Sequence, residues 1–413
     1  MTASPAPASD ADVLIVGAGP AGLALAAALH DAGLAVQLLE QQPLAALADP
    51  ADDGREIALT HRARGVMQTL GLWAALPEDA ISPLREARVL DGDGPRPADA
   101  LCFGGGTGDT ALGWLVPNHA IRRAAYAAVQ ARPAIRLHTD ARVTALDLPP
   151  AGAAAMPAAL HLHDGRTLRA PLVVAADSRF SATRRLAGIG AAMRDFGRSV
   201  VVGPVEHSAD HAGIAWECFR YGNTLALLPM AGRRSSAVVT VPGQRAADWL
   251  ALSDEAFAAR IEAQSGGRLG TLRAAGPRHH YPLVGVYAHR FVAPRFALVG
   301  DAAVGMHPVT AHGYNFGLYG VQVLAGALAA ARQAGRDLGA LDVLQPYERE
   351  HRRRTWPIYQ GTNAVVSLFT DERAPARLAR RAVLGVAEHL PPFNRLIKHL
   401  VVEQLRGRAT AGR

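Results

Sequence analysis

Three glycines, Gly17, Gly19 and Gly22, stand at G-x-G-x-x-G spacing directly after the apolar run "DVLIV" and before a stretch rich in alanine and leucine. That spacing suits a strand turning tightly into a helix. The first glycine makes the turn, the second lets the backbone approach a diphosphate, and the third lets helix pack on strand. Glu40, eighteen residues beyond Gly22 at the end of the next apolar run, supplies a carboxylate for ribose hydroxyls. The chemistry expected is dinucleotide binding with the diphosphate at a helix N-terminus, the alternative being a tight βα turn and nothing more. Only one such fingerprint is present, so a second nucleotide would have no Rossmann unit of its own.

The second concentration of unusual residues is "GDAAVGMHPVTAHGYNFGL", residues 300 to 318. Asp301 closes a strand-like "ALVGD" and can accept hydrogen bonds from a polyol such as a ribityl chain. A helix starting near Gly313, Tyr314 and Asn315 presents free backbone N–H groups that favour negative charge, such as that on the pyrimidine edge of a reduced flavin. His312 lies in the same loop, where a histidine hydrogen-bonds a substrate, tunes a cofactor's charge, or simply packs. His307 reads as structural, preceding a Pro308 placed to line a pocket. His207 and His211 read as sheet residues, and no metal-ligand spacing supports a metal.

The elements that must position these groups follow from periodicity. Residues 12 to 40 read as strand, glycine turn, helix, turn at Gly33 and second strand, one βαβ unit. Helices are expected over about 60–76 and 118–132, and strands over 134–176 around a turn at Asp164-Gly165, ending in the central-looking "LVVAAD". From Val200 to His280 the texture becomes β-rich, with one helix near 254–264. A buried strand returns at 295–303, followed by an alanine-rich helix over 316–334 and an arginine-rich helical region beyond Tyr347.

Composition bounds the reading. At 413 residues the chain is long for one core. The net charge of +7 would attract polyanions. Yet Lys398 is the sole lysine and alanine is abundant, a pattern of arginine-for-lysine usage that carries little function, so no nucleic-acid partner is expected. Cys102 and Cys218 are the only cysteines and lack C-x-x-C spacing, which argues against a zinc site and a disulfide framework and makes a reducing, cytoplasmic setting the default. Residues 1–11 read as a disordered lead rather than a signal peptide, and the glycines and Pro20 within the run from Val13 to Leu34 argue against a membrane span.

Taken together, "DVLIVGAGPAGLALAAAL…LLE", "ADSRFSATR" and "GDAAVGMHPVTAHGYNFGL" resemble the single-Rossmann FAD-dependent aromatic hydroxylases, the p-hydroxybenzoate hydroxylase-like group. "REIALTHRARGVMQTLGLW", "AWECF", "LALLPM" and "YPL" are similar to the ubiquinone-biosynthesis hydroxylases within it, including the demethoxyubiquinol type. The resemblance covers about residues 12 to 355. It implies an α/β fold: a Rossmann-type FAD-binding domain (12–80, 101–185 and 286–345), an inserted mixed β-sheet substrate domain (81–100 and 186–285), and a C-terminal helical region (346–413).

The resemblance also assigns roles. Gly17, Gly19, Gly22 and Glu40 would hold the ADP half of FAD. Arg55 would lie near the pyrophosphate, its alternative being a structural salt bridge. Asn118 would approach the flavin, its alternative being a helix N-cap. Asp177, Ser181 and Arg184 match a motif serving FAD and the nicotinamide nucleotide, with Ser178 where relatives carry glycine; the alternative is a polar strand end capping a helix. Gly300, Asp301, Pro308, Gly313 and Asn315 would surround the flavin. Val304, His312 and Gly320 depart from the family's usual residues.

The activity implied is hydroxylation of the ring of a polyprenylated phenol or quinol through a flavin C4a-hydroperoxide, with NAD(P)H as electron donor. The alternatives are a hydroxylase of a soluble aromatic compound, a flavin dehydrogenase or prenyl reductase, and a non-catalytic flavoprotein in a biosynthetic complex. A hydrophobic aromatic substrate requires access to membrane. The tail "RLARRAVLGVAEHLPPFNRLIKHLVVEQLRGR" interleaves apolar and basic residues, as a peripheral contact on the cytoplasmic face would, or as an ordinary amphipathic helix pair would.

Overall fold

The computed structural model describes residues 9–91, 101–104, 111–149, 156–220, 223–306 and 313–370. Its core forms where the sequence is most continuously apolar. Strand Val13–Val16 is wholly buried and pairs in parallel with Val36–Leu39 on one side and Leu172–Ala175 on the other. Strands covered on both faces read as unbroken apolar runs rather than alternations. Phe296–Leu298, Val292–Ala293 and Arg136–His138 complete this six-stranded sheet.

Helix Pro20–Asp31 connects the first two strands. Proline sits at its first turn, where a missing N–H removes nothing, and the chain leaves the helix through Gly33 at φ +82°. Helices Asn118–Gln130 and Gly313–Gln333 pack against it.

The β-rich part forms a nine-stranded sheet around the long strand Ala191–His207, which pairs antiparallel with both Arg234–Pro242 and His279–Ala288. Asn223–Met230, Ile214–Arg220 and Glu86–Asp91 extend it. One face packs on helix Asp254–Ser265 through Trp216, Val239, Trp249, Phe257 and Ile261. The opposite face, through Ala215 and Leu228, meets Leu84 and Leu112. Leu84 belongs to a small sheet of Glu56–Leu59, Gly113–Pro117 and Ser82–Leu84. The small sheet therefore lies against one face of the large sheet.

Some boundaries differ from those read in the sequence. Strand Leu101–Gly104, placed there with the first domain, pairs with Glu86–Asp91 in the nine-stranded sheet. The helix expected over 60–76 spans His61–Thr69, because Gly71 at φ +79° turns the chain away. Helix Leu341–Thr370 continues past Pro346 and Pro357, a tertiary override of proline's usual cost. Among the described residues, no helix is long and apolar enough to cross a membrane.

Candidate active site

The three glycines are required by their surroundings in different ways. Gly17 has φ +105°, and a Cβ there would lie 2.6 Å from the carbonyl oxygen of Ala176. A Cβ on Gly22 would lie 1.9 Å from the carbonyl oxygen of Gly17, so these two close the turn onto its own backbone. A Cβ on Gly19 would meet nothing within 4 Å. That open space sits at the N-terminus of helix Pro20–Asp31, which has no side-chain cap, as a diphosphate-binding turn requires. Glu40 is fixed beside it: its carboxylate accepts from the N–H of Ala18 at 2.8 Å and of Gln42 at 2.9 Å.

The second cluster packs on the first. Gly300, at φ +61°, would place a Cβ 2.9 Å from the Ala21 methyl, and a Cβ on Gly317 would lie 3.5 Å from the Gly300 Cα and 3.6 Å from the Ala21 methyl. The short turn Gly300–Ala302 and the start of helix Gly313–Gln333 are thereby held against the mouth of the glycine-turn helix. Asp301 accepts a hydrogen bond from Arg179 at 2.9 Å, and Arg179 also donates to the carbonyl of Val284. Asn315 does not face a ligand through its amide. Its Oδ1 accepts from the N–H of Thr60 and its Nδ2 donates to the carbonyl of Ala58, which locks the helix start onto strand Glu56–Leu59.

Asp177 accepts from the N–H and hydroxyl of Thr183, while its Oδ1 is buried without a hydrogen-bond partner among the described residues. The hydroxyl of Tyr314 is likewise buried and unpartnered, and burial pushes its pKa up. Ser181 caps helix Ala182–Leu186 by accepting from the N–H of Arg184 at 2.8 Å. Arg184, 2% exposed, donates to the carbonyls of Arg179 and Ala302. Burial lowers its pKa, with Asp177 acting in the opposite direction. Ser178 stands at φ +140°, so the backbone keeps a glycine's conformation although the glycine is gone, at some cost in strain.

Arg55 and Asn118 converge on one carboxylate that the sequence reading passed over. Arg55 pairs with Asp53 at 2.5 Å, and Nδ2 of Asn118 donates to the same oxygen at 2.7 Å. Asn118 is not a helix N-cap: Pro117 occupies that position and no side chain caps the turn. Tyr281 donates its hydroxyl to the carbonyl of Asp53 at 2.6 Å and lies under the Arg55 guanidinium, bridging the large sheet to this loop. Two carboxylates are pushed toward neutrality. Burial, reinforced by Asp52, raises Glu56 to about 8 against the pull of Arg234, and burial raises Glu217 to about 7. Pro308 and His312 lie outside the described residues.

These features fit FAD. The space at Gly19 and the bare helix N-terminus suit a diphosphate, Glu40 a ribose, and the orphaned Asp177 oxygen a ligand donor; no cluster among the described residues could hold a metal. The chain belongs to the FAD-binding family of aromatic-ring monooxygenases, its residues 10–362 matching the family model described as FAD binding domain. It is 44% identical to ubiquinone hydroxylase UbiM of Neisseria meningitidis over 96% of this chain and 84% of that protein. With ubiquinone hydroxylase UbiL of Rhodospirillum rubrum the identity is 40%, over 94% and 88%. The fold matches that of PqsL, a probable FAD-dependent monooxygenase from Pseudomonas aeruginosa, with a TM-score of 0.70 at 22% identity, covering 94% of this chain and 99% of that one.

Proposed function

We propose that the chain hydroxylates the ring of a polyprenylated phenol or quinol on the way to ubiquinone. The observation that carries this reading is a likeness to two ubiquinone hydroxylases that runs through both the glycine turn and the large sheet facing it. Bound FAD, reduced by NAD(P)H, supplies the oxygen-transfer chemistry with O2. The chain's own residues hold and enclose. Gly17, Gly19 and Gly22 with Glu40 would hold the ADP half, and Asp301, steadied by Arg179, would hold the ribityl chain. The first N–H groups of helix Gly313–Gln333 would supply fixed dipoles that stabilise negative charge on the flavin without reorganising. Asn315 sets that helix in place. Arg55 and Asn118 act on the same region through Asp53, Arg55 by steering charge near the pyrophosphate.

The large sheet is proposed to form the substrate side of the site, where it would exclude water. Pro308 and His312 are proposed as neighbours of the flavin, His312 as a hydrogen-bonding group toward substrate. The basic and apolar tail is proposed to rest on the membrane that holds the substrate, and membership of a biosynthetic complex accompanies that placement. Cells lacking this chain are expected to accumulate one under-hydroxylated quinone precursor, read by mass spectrometry of extracted lipids. An unchanged quinone profile would contradict the reading.

A further inference from the structure

On the face of the large sheet that meets Leu84 and Leu112, the side chains in register with Glu217 are small. Strand register sets the neighbours: Glu217 lies opposite Val89 on one side and Ala226 on the other, and Ala226 opposite Val238, which in turn lies opposite Val202. The row beside it contains Phe219, Thr224, Thr240, Val200 and Tyr281. Alternation along the strand sends Trp216 and Cys218 into the core under helix Asp254–Ser265, and Ala215 toward Leu84 and Leu112. Glu217 shares the face of Ala215, because side chains two apart in a strand lie on the same side. The same row-and-face geometry holds Tyr281, whose hydroxyl reaches the Asp53 carbonyl in the loop before strand Glu56–Leu59.

A carboxylate among valine and alanine costs folding free energy unless it is satisfied. Among the described residues no hydrogen bond or ion pair reaches Glu217, and burial is the sole cause of its raised pKa. Glu86, at the start of the adjoining strand, is by contrast paired with Arg88 at 2.8 Å. We propose that Glu217 receives the ring hydroxyl of the substrate, and so fixes which ring carbon faces the flavin. This rests on the functional reading above.

The chemistry is that of an acceptor and proton store. In its ionised form Glu217 takes the hydroxyl proton: the O–H bond of the phenol breaks, an O–H bond forms on the carboxyl, and the electron pair left on oxygen enriches the ring carbons ortho and para to it. Those are the carbons an electrophilic oxygen reaches. With a pKa near 7 the group exists in both forms at neutral pH, as a proton-transfer residue should. The residues beside it, Ala226, Val238, Thr224 and Thr240, are all smaller than a leucine or an aromatic ring.

The test uses the FAD-loaded full chain, titrated without oxygen or reductant with 2-geranylphenol and with its O-methyl ether, the flavin absorbance change reporting binding. The wild type is expected to prefer the phenol by about tenfold or more, the ordinary yield of one hydrogen bond to a charged group. Glu217→Ala should reduce that ratio to near one. Glu217→Gln, which keeps the shape and a hydrogen bond but cannot take a proton, should keep most of the binding preference while turnover falls about a hundredfold. Equal preference in all three proteins, with turnover unchanged, would overturn the assignment of Glu217 alone. A wild type that binds neither ring would overturn the functional reading and this proposal with it.

Discussion

A methyl group added at Gly19 and one added at Gly22 meet opposite surroundings, although the two glycines belong to one motif. Gly19→Ala points into open space, so the apoprotein should keep its unfolding midpoint while FAD affinity, read by flavin fluorescence quenching, falls at least tenfold. Gly22→Ala drives Cβ into the Gly17 carbonyl and should destabilise the apoprotein itself by roughly 1–3 kcal/mol; equal effects from both would count against the diphosphate placement. Glu217 carries a pH signature. Its pKa rises from 4.5 to about 7 on folding, so between those values the native chain retains a proton that the unfolded chain has released. Stability contributed by that proton is present below about 4.5 and is lost as pH rises toward 7. Denaturant titrations of wild type and Glu217→Gln should therefore converge at the acid end and separate in favour of the variant toward neutral pH. A constant difference across that window would refute the buried placement.

The helix Gly313–Gln333 and the helix Leu341–Thr370 meet where a departure from the family pattern finds its reason. Gly320 is one of the departures read from the resemblance, and a Cβ there would lie 2.7 Å from the imidazole of His351, a ring 1% exposed whose pKa burial pushes down to about 4. The missing side chain makes room for that ring. Gly320→Ala should destabilise the wild type, yet in a His351→Ala background it should stabilise by about 1 kcal/mol, the ordinary gain of alanine over glycine inside a helix. Chemical denaturation of all four proteins reads the sign change, and additive effects would rule the contact out. The glycine turn was legible in the sequence because its demands are local: three positions, one strand before, one helix after. The partner of Gly320 was not, since His351 lies thirty-one positions away on another helix. Glu217 was overlooked for a similar reason, its environment being made by strands from four parts of the chain. Ser178 was visible as a departure, but only the backbone shows that the glycine conformation survived it.

At the scale of the molecule, a six-stranded sheet carries the glycine turn and a nine-stranded sheet meets the small sheet of Glu56–Leu59, Gly113–Pro117 and Ser82–Leu84. The order of sheets could be anticipated from the change in texture near Val200, whereas the return of Leu101–Gly104 to the larger sheet could not, because a four-residue strand between turns carries too short a pattern. Residues 376–413 bear on where the enzyme works: flotation with anionic vesicles should retain the full chain and lose a form ending at 375, both keeping FAD, while equal flotation would place the membrane contact elsewhere. The central claim is that the protein inserts oxygen into a ring rather than moving hydrogen alone. Turnover under ¹⁸O₂ with FAD, NAD(P)H and a polyprenylated phenol, followed by mass spectrometry of the product, tests it most directly. One ¹⁸O atom per product ring is predicted; a product carrying none would mark a dehydrogenase or reductase on the same fold and contradict the account.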